Sequence, residues 1–292
     1  MRTALTWSAR PRPDEADEAV ALLEAAAAAD GVEAVSEAAL LRLRPGGLPG
    51  GHLFARDGGR LVGYAGLEEG ERPTAELAVH PSARRRGVGA AVLDAVLRRV
   101  PGPLWVWAHG EHPAALALAA RTELHRDREL WQLRRDLTEP VGPRALPDGL
   151  ALRAFRPGED EDALVAVNAR AFAWHPEQGG WQRADVLVRE AEPWFDPAGL
   201  LLAVDADDRV RAFHWTKVHA DGAGEVYVLG VDPSAQGGGL GAALTTAGLA
   251  HLRDRGVREV LLYVESDNAA ALRTYTRLGF ARARVDVEFL RR

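Results

Sequence analysis

Two glycine-rich turns carry the first chemical signal in this chain. One reads Arg84-Arg-Arg-Gly-Val-Gly and the other Gln236-Gly-Gly-Gly-Leu-Gly, and the two are 152 residues apart without a gap. Glycines let the backbone come close to a ligand. The free N–H groups of a helix's first turn, reinforced by the helix dipole, attract an anion. A phosphate or pyrophosphate is therefore the expected ligand. The contributing residues would be Arg85, Arg86, Gly87, Val88, Gly89 and Ala90 in the first turn, and Gln236, Gly237, Gly238, Gly239, Leu240, Gly241 and Ala242 in the second. The plainer alternative is a tight strand-to-helix turn with no ligand at all.

Such a cradle needs a strand before it and a helix after it, and both copies supply them. Two strand-like runs precede each turn, 52–56 with 60–67 and 200–205 with 209–219. They are joined by the hairpin signals Asp57-Gly-Gly and Ala206-Asp-Asp. A third strand leads directly into each turn. An amphipathic helix follows, over 87–99 and 239–255, then a short apolar strand over 104–108 and 259–264, a further helix and a final strand. The repeat includes Pro81 with Pro233, Gly87 with Gly239 and Gly89 with Gly241. A period this long marks duplicated domains. The stretch TEPVGPRALPDG at 138–149 is rich in Pro and Gly and reads as a linker. The expected organisation is an N-terminal domain over 1–138, a linker over 139–149 and a C-terminal domain over 150–292. Each domain is expected to be a mixed α/β (α+β) sheet flanked by helices.

Composition narrows the function. A chain of 292 residues with 47% hydrophobic residues can bury two cores. Its net charge of -6 argues against general nucleic-acid binding. With no cysteine, disulfides, thiolate metal sites and a cysteinyl acyl-enzyme are excluded. No metal is expected. The N-terminus lacks a signal-peptide core, and the alanine run 25–29 is too short to span a bilayer. A cytoplasmic protein with no membrane partner is expected, acting as a monomer. There is one lysine, Lys217, among 36 basic side chains, and so strong an arginine bias suggests a positional reason for it.

Taken together, the strand, the proline, the Gln/Arg-x-x-Gly-x-Gly turn and the helix resemble the GCN5-related N-acetyltransferase (GNAT) family, twice over and across nearly the whole chain. The resemblance implies acetyl-CoA as co-substrate, with its pyrophosphate on the glycine turns. The pantetheine arm would lie along the strand before each turn, at Leu77, Ala78 and Val79 and at Leu229, Gly230 and Val231. Gly237 and Gly238 stand where many family members carry arginine, so the second turn would rely on backbone N–H groups. Asn268 is a natural cap for the helix after it, and its position matches one the family uses to touch the cofactor.

Attack of an amine on a thioester needs a neutral amine and an acid for the departing thiolate. In the second half, the resemblance assigns these roles to Glu225, at the start of its strand, and to Tyr275, on the last helix. The repeat serves as an internal control. At the common offset Glu225 falls on Pro73; for Tyr275 the alignment is gapped, and its counterpart is Ala119 or Arg121. Chemistry is therefore expected in the second half, with a bound but unreactive cofactor in the first.

Longer strings are more specific. They are Asn168-Ala-Arg-Ala-Phe-Ala-Trp-His-Pro-Glu-Gln-Gly, Phe213-His-Trp-Thr-Lys-Val-His, Gly224-Glu-Val-Tyr-Val-Leu-Gly-Val-Asp-Pro and Leu262-Tyr-Val-Glu-Ser-Asp-Asn. They resemble an actinobacterial branch of the family that acetylates the cysteinyl amine of a cysteine–glucosamine–inositol conjugate. That resemblance implies substrate contacts at Glu37, Glu177, Lys217, Glu225 and Tyr263. Carboxylates suit a ligand with one cationic amine and many hydroxyls. His175, His214 and His219 fit no zinc spacing and read as packing or surface residues. Competing readings are an acetyltransferase for another amine (protein N-terminus, aminoglycoside or polyamine) and an acetyl-CoA-binding sensor.

Overall fold

The computed structural model describes residues 3–44, 47, 50–139, 141–175 and 178–292. The chain forms two compact units, Met1–Leu130 with Arg284–Arg292, and Trp131–Ala283.

The first unit runs through β1 (Ala4–Ser8), α1 (Pro13–Asp30), α2 (Glu37–Leu43), β2 (Gly51–Asp57), β3 (Arg60–Glu68), β4 (Thr74–Val79), α3 (Val88–Arg99), β5 (Leu104–Ala108) and α4 (Pro113–Arg121). β6 (His125–Asp136) begins here and ends in residues of the second unit. α1 opens with Pro13, which loses nothing at a position with no intrahelical donor to make, and it ends where Gly31 turns left-handed at φ 67°. Its buried stripe, Ala16, Ala19, Leu22, Leu23 and Ala26, has helical spacing. β1 to β4 are antiparallel neighbours and β4 runs parallel to β5. Alternation along these strands makes two cores. Leu53, Ala65 and Ala75 pack with Val92 and Val96 of α3. On the other face, Phe54, Tyr64 and Ala78 pack with α1 and with Ala39 and Leu43 of α2.

The second unit continues with β7 (Ala151–Ala154), α5 (Glu161–Ala171), α6 (Arg183–Glu190), β8 (Leu200–Val204), β9 (Val210–Val218), β10 (Gly224–Val231), α7 (Leu240–Asp254), β11 (Glu259–Glu265), α8 (Ala269–Arg277) and β12 (Ala281–Arg291). The end of β12, Val287–Arg291, belongs to the first unit, where it pairs antiparallel with β5. β7 to β10 are antiparallel neighbours and β10 runs parallel to β11. Again there are two layers. Ala203 and Ala212 meet Leu240 and Leu244 of α7, while Phe213 and Trp215 meet Leu164 and Val167 of α5 and Val186 of α6. Residues 141–147 form neither helix nor strand, and Pro140 lies outside the described residues. Among the described residues, no helix is long and apolar enough to cross a membrane.

The paired hairpins, both helices after the glycine turns and the strands that follow them appear where the sequence places them. α1, α2, α5 and α6 are not marked by the repeat, because the segments before the two hairpins differ in sequence.

Candidate active site

In both units the strand before the glycine turn parts from its parallel neighbour. β10 pairs with β11 only at Gly224, Glu225 and Val226, then continues beside β9 alone as far as Val231. β4 pairs with β5 only at Thr74, Ala75 and Glu76, then continues beside β3 as far as Val79. Past each split, one edge of the strand offers backbone N–H and C=O groups to whatever lies in the gap, and such groups need a partner when covered. Leu77–Val79 and Leu229–Val231, the residues expected along a pantetheine arm, are these edges. Its amide groups can complete the ladder there.

The turns end at Gly87 and Gly239, both with φ of 82° and both capping the following helix. A side chain there would be strained by the backbone itself. The first ladder bonds of the two helices run from Ala91 N to Gly87 O and from Ala243 N to Gly239 O. The N–H groups of residues 88–90 and 240–242 therefore stand ahead of the ladder, as an anion cradle requires. The residue opening each turn pins it to the strand: Arg84 Nε donates to Val79 O at 3.2 Å and Gln236 Nε2 to Val231 O at 3.2 Å. Arg84 also forms a forked pair with Asp30 at 2.6 and 2.8 Å. At the second position Arg85 holds φ of 62° where Gly237 holds 87°. The glycine adopts this conformation without the penalty that Arg85 bears.

On the second unit's sheet, Lys217 and Glu225 are direct partners across β9 and β10, and Glu225 is paired with Leu261 of β11. Side chains two apart in a strand share a face, so Lys217, Glu225, Leu261, Tyr263 and Glu265 face the same way. It is the face covered by α5 and α6. Three of the expected substrate contacts, Lys217, Glu225 and Tyr263, thus come together. Glu37 opens α2 in the first unit, behind its Ser36 cap. Glu177 lies outside the described residues; Gln178 N donates to His175 Nδ1 at 3.0 Å, and His175 Nε2 lies 3.4 Å from Glu265.

Glu225 is buried, and His219 Nε2 meets its Oε2 at 2.7 Å. Lys217 is also buried, with its ammonium 4.6 Å from the ring centre of Trp194 and 5.2 Å from that of Tyr227. Cation–π contacts of this kind are worth roughly 0.5–2 kcal/mol each and fix where the charge sits. Tyr227 is held in turn by Arg189, whose Nε donates to its hydroxyl at 2.7 Å. It occupies a register shift between Val226 and Val228, a bulge that re-aims a side chain. Tyr263 is partly exposed and accepts from Gln132 Nε2 at 2.8 Å.

Tyr275 comes from the opposite side. It is buried in the cluster built on Val226, Val260, Leu262 and Val264, beneath α7, and burial pushes its hydroxyl up to about 12. Among the described residues, none hydrogen-bonds to that hydroxyl. Glu225 and Tyr275 therefore lie on opposite faces of the sheet, so the expectation that they converge on one thioester is not met by a direct approach of the two side chains. Asn268 caps α8, accepting from Ala271 N at 3.1 Å.

The histidines diverge. His214 is a core residue: burial drives it down to about 4, and its Nδ1 donates to Leu244 O at 2.8 Å. His219 is not, because it carries Glu225. The sequence marks only its face, since Trp215, Lys217 and His219 alternate along one strand.

The first unit also has a carboxylate at its split, Glu76, which the gap-free offset sets against Val228 and not against Glu225. It is fully engaged: Ser36 donates from N and from Oγ at 2.5 and 2.6 Å, and His109 Nε2 from 2.8 Å. His109 Nδ1 meets Asp286 at 3.0 Å, and Gly110 N donates to the same carboxylate at 2.7 Å. Burial alone would favour neutral imidazole, but Asp286 and Glu76 outweigh it and hold His109 up at about 10. Burial likewise works against the Glu76 carboxylate, yet His109 and Ser36 keep it below the ordinary range.

Comparisons with known proteins agree with this architecture. A family model described as "Acetyltransferase (GNAT) family" matches residues 167–280, and one described as "Acetyltransferase (GNAT) domain" matches residues 49–121. A mycothiol acetyltransferase of Actinosynnema mirum is 53% identical over 292 residues, covering 98% of each chain. One of Nocardia farcinica is 54% identical over 294 residues, covering 97% of this chain and 96% of its own. Among solved structures, a tandem GNAT protein from the clavulanic acid biosynthesis pathway superposes with a TM-score of 0.76 at 22% identity, covering 99% and 98% of the two chains. A GCN5-related N-acetyltransferase from Sphaerobacter thermophilus gives 0.71 at 24%, covering 98% and 95%.

Proposed function

This chain belongs to the mycothiol acetyltransferase family of tandem GNAT enzymes, and from that membership we propose that its second unit, in a cytoplasmic monomer, transfers acetyl from acetyl-CoA to the cysteinyl amine of a cysteine–glucosamine–inositol conjugate, forming mycothiol. The observation that carries the reading is Glu225, a buried carboxylate at the edge of the strand split that leads to the Gly239 turn.

In this reading acetyl-CoA binds with its pyrophosphate on the N–H groups of residues 240–242 and its amide-bearing arm along Leu229–Val231, so that the thioester lies in the split. An α-amine titrates near ~7.7–8.0, so much of it is protonated at neutral pH. Glu225 holds the ammonium and takes one proton. The freed lone pair attacks the thioester carbonyl and the C–N bond forms; as the C–S bond breaks, the second proton leaves nitrogen and reaches the departing sulfur, giving the amide and the free thiol. Tyr275 faces the departing sulfur. A phenol near 12 stays protonated at neutral pH, and the ordinary thiol range lies near ~8.5. Full transfer from Tyr275 is therefore uphill, and its main contribution is a hydrogen bond that strengthens as charge reaches the sulfur. Lys217, fixed by its two rings, donates to carbonyl or hydroxyl oxygens of the conjugate, and Glu177 and Tyr263 complete its binding. The first unit holds acetyl-CoA without reacting, because its own split carries an ion cluster in place of an open carboxylate.

The test is a panel of amines with acetyl-CoA: the cysteinyl conjugate, a peptide N-terminus, an aminoglycoside and a polyamine. The expected result is kcat/KM highest for the conjugate, with Tyr275→Phe lowering kcat about 10²-fold. Preference for any other amine overturns the substrate, and cofactor binding with no turnover on any amine overturns the enzyme.

A further inference from the structure

We propose that His219 is the exit for the proton released in each turnover, acting through Glu225 without touching the substrate. The proposal rests on the acetyl-transfer reading above and extends it to the step that resets the base.

The proton count requires such an exit. An ammonium and a thioester become an amide and a thiol. Nitrogen loses two protons and sulfur gains one, so one proton must reach solvent in each cycle. Glu225 takes that proton but is only 6% exposed. Among the described residues, its side chain is bonded only to His219, at 2.7 Å from Oε2. The His219 side chain is 33% exposed. It stands where β9 ends and the chain turns, with His219 N donating to Ala223 O at 2.8 Å and Gly222 N returning to His219 O at 2.9 Å. The ring thus joins a buried carboxylate to solvent from a backbone held in place. The nearest charge on the same face is Lys217, directly across from Glu225. Its ammonium is drawn over Trp194 and Tyr227. Asp221 in the turn is engaged with Ala223 N at 3.0 Å. On β11 the same face carries Glu259, Tyr263 and Glu265, and from the helical layer His175 meets Glu265.

The relay has two steps. Glu225 receives the proton on the oxygen facing the amine, and a half-turn of the carboxyl about Cγ–Cδ presents that oxygen to Nε2. The resting imidazole carries its proton on Nε2 toward the carboxylate; exchange with water at its exposed edge moves it to the Nδ1–H form, which accepts the new proton on Nε2 and gives the Nδ1 proton to water. Carboxylate and neutral imidazole are both restored. No oxidant, metal or second substrate is needed.

A role confined to orienting Glu225 is separable from this one. In His219→Gln the side-chain amide still donates to the carboxylate but cannot carry a proton. In His219→Ala there is room for free imidazole. The expected result is a loss in kcat of about 10²-fold in both variants, with the KM of the cysteinyl conjugate little changed. Added imidazole should restore His219→Ala in proportion to its concentration while leaving wild type unaffected. Wild-type kcat in His219→Gln, or a loss in His219→Ala that no concentration of imidazole lifts, overturns the relay. The wild-type enzyme is run alongside: if it fails on the conjugate, the functional reading falls and takes the relay with it, whereas wild-type turnover with silent variants removes the relay alone.

Discussion

The two units share a scaffold and differ in what meets the carboxylate at the strand split. Each has a glycine at φ of 82° capping the helix after the split, and each has a buried carboxylate within a residue of the split, on the face away from that helix. In the first unit Glu76 receives two bonds from Ser36 and one from His109, which is clamped by Asp286 on its other side. An internal imidazolium stands where an ammonium would have to bind. In the second unit, Glu225 meets one imidazole, which reaches solvent. A buried carboxylate already neutralised by its own chain holds the fold together, whereas one left partly unsatisfied can take a substrate cation. In the proposed reading, binding of the cofactor and the chemistry are separable, because different residues carry the two.

The largest effect expected from this contrast is on turnover. Gly239→Glu should abolish it by placing both strain and negative charge at the second cradle. Gly87→Glu should weaken one acetyl-CoA site, seen by calorimetry, and leave turnover largely intact. The two positions share φ, so backbone strain is matched, and the opposite result would reverse the assignment of labour.

The next effect is on stability. His109→Ala leaves two carboxylates buried without their counter-charge, which should cost about 3–5 kcal/mol in denaturant unfolding. His219→Ala, at a partly exposed site, should cost under ~1 kcal/mol. Equal losses would mean that the second pair is structural as well.

A smaller effect is pH-dependent. The folded value of His109, about 10, lies above its unfolded value near 6.5. Its contribution is then fully present below about 6.5 and is lost as pH rises through about 10. Glu76 is held below its ordinary value, so its contribution is present above that value and is lost on acidification. The Tm gap between wild type and His109→Gln should therefore narrow steadily from neutral pH to beyond 10. A gap that stays constant would remove the charged cluster from the comparison.

The smallest effect is expected at Gly241, where an added Cβ would lie 3.7 Å from Val231 and 3.9 Å from Leu229, ordinary contact distances. Gly241→Ala should leave stability and the KM for acetyl-CoA near wild type.

Most of this scaffold was legible in the sequence, because hairpin turns, glycine caps and apolar periods are local signals and occur twice. The strand splits were not, since parting is a property of pairing and leaves no mark on either strand alone. Of the site, Lys217, Glu225 and Tyr263 alternate onto one face as strand geometry dictates. The ion cluster of the first unit stayed hidden because Ser36, Glu76, His109 and Asp286 are far apart along the chain, and only folding makes them neighbours. His219 is partly exposed, as expected of a surface residue, and its contact with Glu225 left no mark in the sequence because a turn brings the two together.

The central claim is that Glu225 does in the second unit what Glu76 is prevented from doing in the first. The most direct test is single-turnover acetylation of the cysteinyl conjugate by Glu225→Gln, with acetyl-CoA affinity measured in the same preparation. The account predicts a rate about 10²–10⁴-fold below wild type with cofactor binding unchanged. A rate within a few-fold of wild type at normal affinity would contradict it.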